Sequence, residues 1–585
     1  MVLNLNKKSI CDFLITFIIA YAALFLAQFI LFDFDDRTSR VLRRTAFLAL
    51  VVALESKLFE NKLTFAKSLI LLVLLALPPL SVSASNYDFS INNATFIALI
   101  SASCLCVFFI SLFSQKARAT ILILLCLIVS IPSLIFCGYY SYSGAPIGQE
   151  AIVAALETNS HEAIQYLQTQ NNLWQYAIIA ALFIICFVFV KITQKLQIKS
   201  ALRPLTAVFL FAATMPFYND VLGDRGDDLY STLYKSVKTH FAMYAKFEKE
   251  TPTRLKSIKI NKNGDEEGLY VLVIGESQNK KRMSAYGYER DTTPFIGSNL
   301  NNPKLILFSN AFSNHTHTSF VLEEALTSKN QYNNAALIKS PTLVEVANLA
   351  GFETFWLSNQ AKLHESGVSI TKIAMGAKNK FFTRDGSGAE PFDEVLIEQI
   401  PTQLKNSKTL MIIHLYGNHH DYKKRYPQDF AKFGGGYSNE YDNSILYNDY
   451  VIQKLLNKVV KIPHFKALVY FADHSELLVV KDEHERVIGH DSSRFDFEMT
   501  YIPFYMYFSD DYIAAHQDLI SNLRSHKNDY FTNDLIFNVM NGIMGISTNF
   551  DEPKNDISAK AYDTNASRFK TLHGKRFLIE DNGTN

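Results

Sequence analysis

Beyond residue 186 this chain of 585 residues contains no cysteine. All six, Cys11, Cys104, Cys106, Cys126, Cys137 and Cys186, lie in or beside long apolar runs. The remainder therefore cannot form a disulfide, and the compartment has to be read from topology. An excess of charge of one sign is missing too. The net charge is +1 and no basic stripe with interleaved aromatics occurs, which argues against a nucleic-acid partner. The first apolar run begins after Lys7 and Lys8 and shows no small-residue cleavage site, which favours a retained anchor over a removed signal peptide. No internal repeat or low-complexity tract is present, and Gly434-Gly-Gly436 marks only a flexible loop.

The residues that are present divide into two unlike parts, and the mean hydropathy of +0.04 averages them. Up to about Asn219 long apolar runs dominate, and the second part reads as a soluble domain of roughly 350 residues. Runs near the roughly 20 residues a bilayer requires cover 10–32, 65–83, 95–114, 119–139 and 174–193. Two weaker ones cover 43–58, which carries Glu55, and 203–216.

Two of the connecting loops, 84–94 and 140–173, lack Lys and Arg altogether, whereas Lys116 and Arg118, then Lys195, Lys199 and Arg203, mark the alternate loops. By the positive-inside rule this places everything after 203–216 outside the cytoplasm. Seven spans with a cytoplasmic N-terminus fit, and five is the alternative, because Arg37, Arg40, Arg43 and Arg44 would otherwise lie outside. The expected organisation is a transmembrane domain over 1–217, a helical connector over 218–265 and a catalytic domain over 266–585.

In that domain short apolar runs at 269–274, 304–308, 353–357, 409–415 and 466–471 alternate with helical stretches at 319–327, 341–350, 392–405 and 444–460. Strands separated by helices imply an α/β fold whose mainly parallel central sheet is covered by helices on both faces. Polar residues stand after several of these runs. Glu276 comes after Tyr270-Val-Leu-Val-Ile-Gly, Asp473-His474 after Ala467-Leu-Val-Tyr-Phe-Ala, and His315-Thr-His-Thr-Ser after Leu305-Ile-Leu-Phe. Strand ends of an open sheet converge on one rim, so these groups can share a site. Two carboxylates, an imidazole and a hydroxyl suit a zinc ion and metal-assisted phosphoryl transfer.

The blocks around these residues carry a resemblance. Gly275-Glu-Ser-Gln-Asn-Lys-Lys-Arg-Met-Ser-Ala-Tyr-Gly-Tyr-Glu-Arg-Asp-Thr-Thr-Pro294 is similar to the opening block of the lipopolysaccharide phosphoethanolamine transferases, members of the alkaline-phosphatase and sulfatase superfamily. His414-Leu-Tyr-Gly-Asn-His419 with Lys424-Arg-Tyr-Pro427, and Ala472-Asp-His-Ser-Glu476 with Gly489-His490, resemble its later blocks in the same order.

The resemblance implies a sulfatase-like periplasmic domain with Glu276, Thr318, Asp473 and His474 as zinc ligands, one tight site being expected and a second possible. It implies Thr318 as nucleophile at the start of a helix. A capping role fits the same threonine, and Ser277 reads as a turn residue. His419 and His490 resemble substrate-side histidines, and His414 is a weaker candidate that also reads as a satisfied core histidine. Asn359, in Trp356-Leu-Ser-Asn-Gln360, is similar to a phosphate-contacting block, although the spacing to Lys362 departs from the lysine some members have there.

Glu157-Thr-Asn-Ser-His-Glu162 resembles the donor-headgroup motif and would set Thr158 and Glu162 on one helix face. Ala154 stands where an asparagine is often found, and an amphipathic surface helix is the alternative there. The implied reaction moves phosphoethanolamine from phosphatidylethanolamine to a lipopolysaccharide or lipooligosaccharide acceptor, lipid A or a core sugar, through a zinc-bound threonine. The enzyme would be a monomer in a bacterial inner membrane. A phosphoglycerol transferase and a non-catalytic membrane-anchored binding protein are the alternatives. A sulfatase activity is disfavoured, because the nucleophile block lacks the Cys/Ser-x-Pro-x-Arg pattern.

Overall fold

The computed structural model describes residues 7–31, 38–83, 89–91, 93–143, 147–148, 151–153, 155, 173–198, 229–263, 267–362, 369–384, 391–481 and 484–581. It divides into two compact units, 1–153 with 166–238, and 154–165 with 239–585. Thr158, Glu162 and the 203–216 run lie outside the described residues.

The first unit is helical: α1 (Lys7–Leu31), α2 (Thr38–Ser56), α3 (Lys62–Ala76), α4 (Asn93–Ser111), α5 (Gln115–Ser143) and α6 (Leu173–Thr193). Among the described residues, helical stretches at Lys7–Ala27, Gln115–Tyr140 and Tyr176–Thr193 are long and apolar enough to cross a membrane. The run expected over 65–83 stops early. Pro78 and Pro79 cannot continue α3, and Ser81–Ser83 instead pairs antiparallel with Phe89–Ile91. Arg118 donates to the carbonyls of Ser111, Phe113, Gln194 and Leu196, placing a cation where α4 and α6 end and expose unpaired acceptors.

The second unit is built on a seven-stranded sheet, β1 (Gly268–Gly275), β2 (Leu305–Phe308), β3 (Glu353–Ala361), β4 (Asn379–Arg384), β5 (Lys408–His414), β6 (Phe465–Ala472) and β7 (Phe504–Phe508), in the order β2-β7-β6-β1-β5-β3-β4. β6, β1, β5, β3 and β4 run parallel, while β7 lies antiparallel to both β6 and β2. All eight residues of β1 are buried. Tyr270, Leu272 and Ile274 face one apolar cluster and Leu269, Val271 and Val273 face another, so the strand alternation fills a core on each side of the sheet. Each such side chain contributes about 1.5–3 kcal/mol when fully buried.

β4 and β7 escape the sequence pattern, the first because Asn379-Lys-Phe-Phe-Thr-Arg384 alternates poorly at an edge, the second because its short aromatic run directly follows the breaker Pro503. The helix expected over 392–405 shrinks to Val395–Glu398. Asp393 is held by the amides of Tyr416 and Gly417, and Pro401 removes a donor. Within the expected helical connector, helices Leu229–Lys249 and Thr251–Ser257 form, but Ile260–Asn263 is a strand paired with Ile546–Thr548. Arg254 then ties it to the domain through a 2.7 Å ion pair with Glu345.

Candidate metal centre

Register brings the site together. Gly275 pairs with Ala472 and Ile274 with His414, so β1, β6 and β5 end side by side and the residues after them share one rim. Two close approaches make that possible. A side chain at Gly275 would collide with the Tyr470 hydroxyl, and one at Gly417 would meet the Glu276 backbone at 2.9 Å.

The chain leaves β1 through Ser277, whose φ of 54° lies in the left-handed region. Such a backbone costs about 1–3 kcal/mol at a non-glycine residue and persists where its surroundings over-determine it. Here they do. The Ser277 amide donates to Asp473 Oδ1 (3.0 Å), its hydroxyl to Glu276 Oε1 (2.8 Å), and Tyr441 donates to its carbonyl (2.7 Å). Ser277 thus orients both carboxylates, in keeping with a turn residue.

Glu276, Asp473 and His474 are all buried, and each offers a ligand atom within 4.8 Å of the others. His474 Nε2 lies 3.3 Å from Glu276 Oε1 and 3.4 Å from Asp473 Oδ2. Thr318, the first residue of α7 (Thr318–Ala325), adds its Oγ1 at 3.2 Å from Glu276 Oε2 and 3.4 Å from His474 Nε2. His317 occupies the N-cap position without a side-chain capping bond, so the capping role considered for Thr318 is not the one this helix uses.

A tetrahedral ion with bonds of about 2 Å holds its ligand atoms about 3.3 Å apart. These spacings fit one. Asp473 Oδ2 is buried with no hydrogen-bond partner, an acceptor lone pair of the kind a cation takes up. His474 Nδ1 lies 3.2 Å from the Ser475 carbonyl and donates to it, which leaves Nε2 facing the cluster. The electrostatics favour positive charge at this point, and an ion held there would take the place of the Nε2 proton. Burial pulls the His474 imidazole down, but Asp473 and Glu276 outweigh it and lift it to about 10. Burial and the Glu276 charge push Asp473 up to about 6, while Glu276 is held low against burial by His474.

His490 joins this group: its ring centroid is 4.2 Å from that of His474, and its Nδ1 is 3.0 Å from Glu476 Oε1. His317 packs at 5.3 Å from His490, a neighbour to which the sequence assigns no role. His419 sits on the loop after β5, stacked on Tyr416 at 4.9 Å. His414 is a core histidine but not a satisfied one, because its Nε2 lacks a partner and burial lowers it to about 4.

Asn359 lies on β3, with its side chain engaged inside the domain. Its amide donates to Pro391 O and Asp393 Oδ1, both at 2.8 Å, and its oxygen accepts from Thr383, so it braces the scaffold. Gln360 instead reaches Glu276 Oε2 at 3.2 Å, and the β3–β5 register is what puts it there.

Residues 269–544 match the sulfatase family. Phosphoethanolamine transferase EptC of Escherichia coli (strain RS218) is 28% identical over 423 residues, covering 65% of this chain and 72% of that protein. Phosphoethanolamine transferase CptA of Salmonella typhimurium is 26% identical over 499 residues, covering 77% and 84%. The integral membrane lipooligosaccharide phosphoethanolamine transferase A of Neisseria meningitidis superposes with a TM-score of 0.52 at 18% identity, covering 87% of this chain and 98% of that one, a likeness of fold.

Proposed function

We propose that this chain, a sulfatase-family protein whose curated relatives are phosphoethanolamine transferases, moves phosphoethanolamine from phosphatidylethanolamine to lipid A or a core sugar of a lipopolysaccharide or lipooligosaccharide. In this reading residues 1–217 form a multi-pass inner-membrane domain, and 266–585 act in the periplasm.

The observation that carries the reading is the position of the Thr318 hydroxyl, 3.2–3.5 Å from two groups of a buried carboxylate and imidazole cluster. Glu276, Asp473, His474 and Thr318 would hold a zinc ion. When bound, it supplies charge neutralisation on the phosphoryl oxygens and favours ionisation of a neighbouring hydroxyl.

The chain's own residues do the rest. Thr318 stands at the N-terminus of α7, where the helix dipole favours developing negative charge. Its oxygen attacks the donor phosphorus, the bond to the diacylglycerol oxygen breaks, and phosphoethanolamine is left on Thr318. An acceptor hydroxyl then attacks the same phosphorus and frees Thr318. His490, fixed by Glu476, and His419 hold or move the proton leaving the acceptor or joining the departing oxygen. Ser277 and Gln360 keep Glu276 in place. Thr158 and Glu162 would receive the donor headgroup, a carboxylate being matched to an ammonium and not to glycerol.

The test supplies phosphatidylethanolamine or phosphatidylglycerol in detergent micelles and monitors diacylglycerol release. Release from the first alone supports the reading, and release from the second alone moves the chain to the phosphoglycerol transferases. A purified protein with no zinc and no release from either lipid would make it a binding protein.

A further inference from the structure

Two consecutive non-glycine residues, Leu572 (φ 51°) and His573 (φ 50°), hold left-handed backbones far along the chain from the metal centre. They form, with Gly574, the turn between the short strands Lys570–Thr571 and Arg576–Phe577. Strain at adjacent positions persists only where other contacts outweigh it.

Those contacts converge on the segment that carries Thr318. Thr571 Oγ1 donates to Ser313 O (2.8 Å), and the His573 amide donates to Asn314 O (3.1 Å). The His573 imidazole donates through Nε2 to Phe320 O (3.1 Å), and its ring lies 4.8 Å from His315 and 5.7 Å from Phe320. The turn therefore grips the chain both before and after Thr318.

A closed circuit stiffens the grip. Asn314 donates to Glu324 Oε2 (2.7 Å) from within the nucleophile segment, and His573 Nε2 stands 3.7 Å from that same oxygen. Gly574 donates to Gln331 (2.9 Å), which anchors the turn from behind.

We propose that the turn Leu572–Gly574 is a clamp that positions the Thr318 oxygen, with His573 as its positioning residue. The proposal rests on the reading of Thr318 as nucleophile. A hydroxyl displaced by about 1 Å from its attack geometry can lose on the order of a hundredfold in rate. The clamp works before the chemistry, on the loop.

The test uses the full-length, zinc-loaded protein in detergent with two variants. His573→Asn keeps a residue that tolerates the left-handed backbone but removes the imidazole, and Thr571→Val removes one hydroxyl at constant shape. Two readouts are taken: the rate of headgroup addition to Thr318, and hydrogen exchange of the peptide 313–319. The clamp predicts that His573→Asn slows addition at least tenfold at saturating lipid, with KM and zinc content within twofold of wild type. Exchange of 313–319 should rise while sheet peptides stay protected. Thr571→Val should move both readouts the same way by less.

Unchanged addition and unchanged exchange in folded, zinc-loaded His573→Asn would overturn the clamp. So would a loss of rate that merely tracks loss of zinc or a general rise in exchange. If wild type forms no adduct, the functional reading fails, and the exchange of 313–319 alone still decides for or against the clamp.

Discussion

The helical unit and the sheet unit both bury polar groups, yet they use them differently. In the helical unit they are absorbed locally or stand alone. Arg118 donates to four carbonyls through its two terminal nitrogens, Thr193 donates to Ser68 at 2.9 Å, and Ser133 bonds the Leu75 carbonyl. Glu55 and Ser101 leave oxygens unpaired there, and among the described residues no cluster of three ligand groups forms around either. In the sheet unit the unpaired oxygen of Asp473 faces an imidazole, a second carboxylate and a hydroxyl. Burial of an unspent polar group is common to both, and only convergence distinguishes a candidate site from scaffolding.

The largest expected effect breaks that convergence. Asp473→Asn removes one charge at constant size, and transfer should fall at least a thousandfold together with zinc content, read by headgroup release and metal analysis. Retained zinc and turnover would mean the cluster is scaffolding after all.

His414 sharpens the contrast within the sheet unit, being buried with an unpartnered Nε2 but outside the ligand cluster. Its folded value of about 4 lies below the ordinary 6.5, so the unfolded chain takes the proton first. Its contribution is therefore intact above about pH 6.5 and is lost as pH falls towards 4. His414→Gln should flatten this acid loss by about 1–3 kcal/mol, measured by denaturant unfolding at pH 7 and pH 5.

Arg118→Ala probes the helical unit. Freeing four carbonyls should cost about 1–2 kcal/mol of stability, seen as earlier thermal unfolding, with zinc content unchanged. Smallest of all is Glu55→Gln, which should leave zinc content and transfer rate within twofold, because that carboxyl belongs to no three-ligand cluster among the described residues.

Much of this is legible in sequence because it is local. The strands β1, β5 and β6 are built on apolar runs, and Glu276 comes directly after β1 as Asp473-His474 does after β6. Gln360 is hidden because its reach to Glu276 depends on the register of β3 against β5. The partners of Asn359 are hidden for the complementary reason, since the block does not disclose that its amide bonds Asp393 and its oxygen Thr383. His573 cannot be found from spacing at all. Its contact with Asn314 and Phe320 spans more than half the second unit, and nothing in a single residue announces a left-handed backbone.

The assignment of Thr318 as nucleophile is tested most directly by intact mass of the purified protein after incubation with phosphatidylethanolamine, comparing wild type, Thr318→Ala and Ser277→Ala. A single phosphoethanolamine adduct is expected on wild type and Ser277→Ala, absent from Thr318→Ala and from chelator-treated wild type. An adduct that survives in Thr318→Ala and disappears in Ser277→Ala would contradict that assignment.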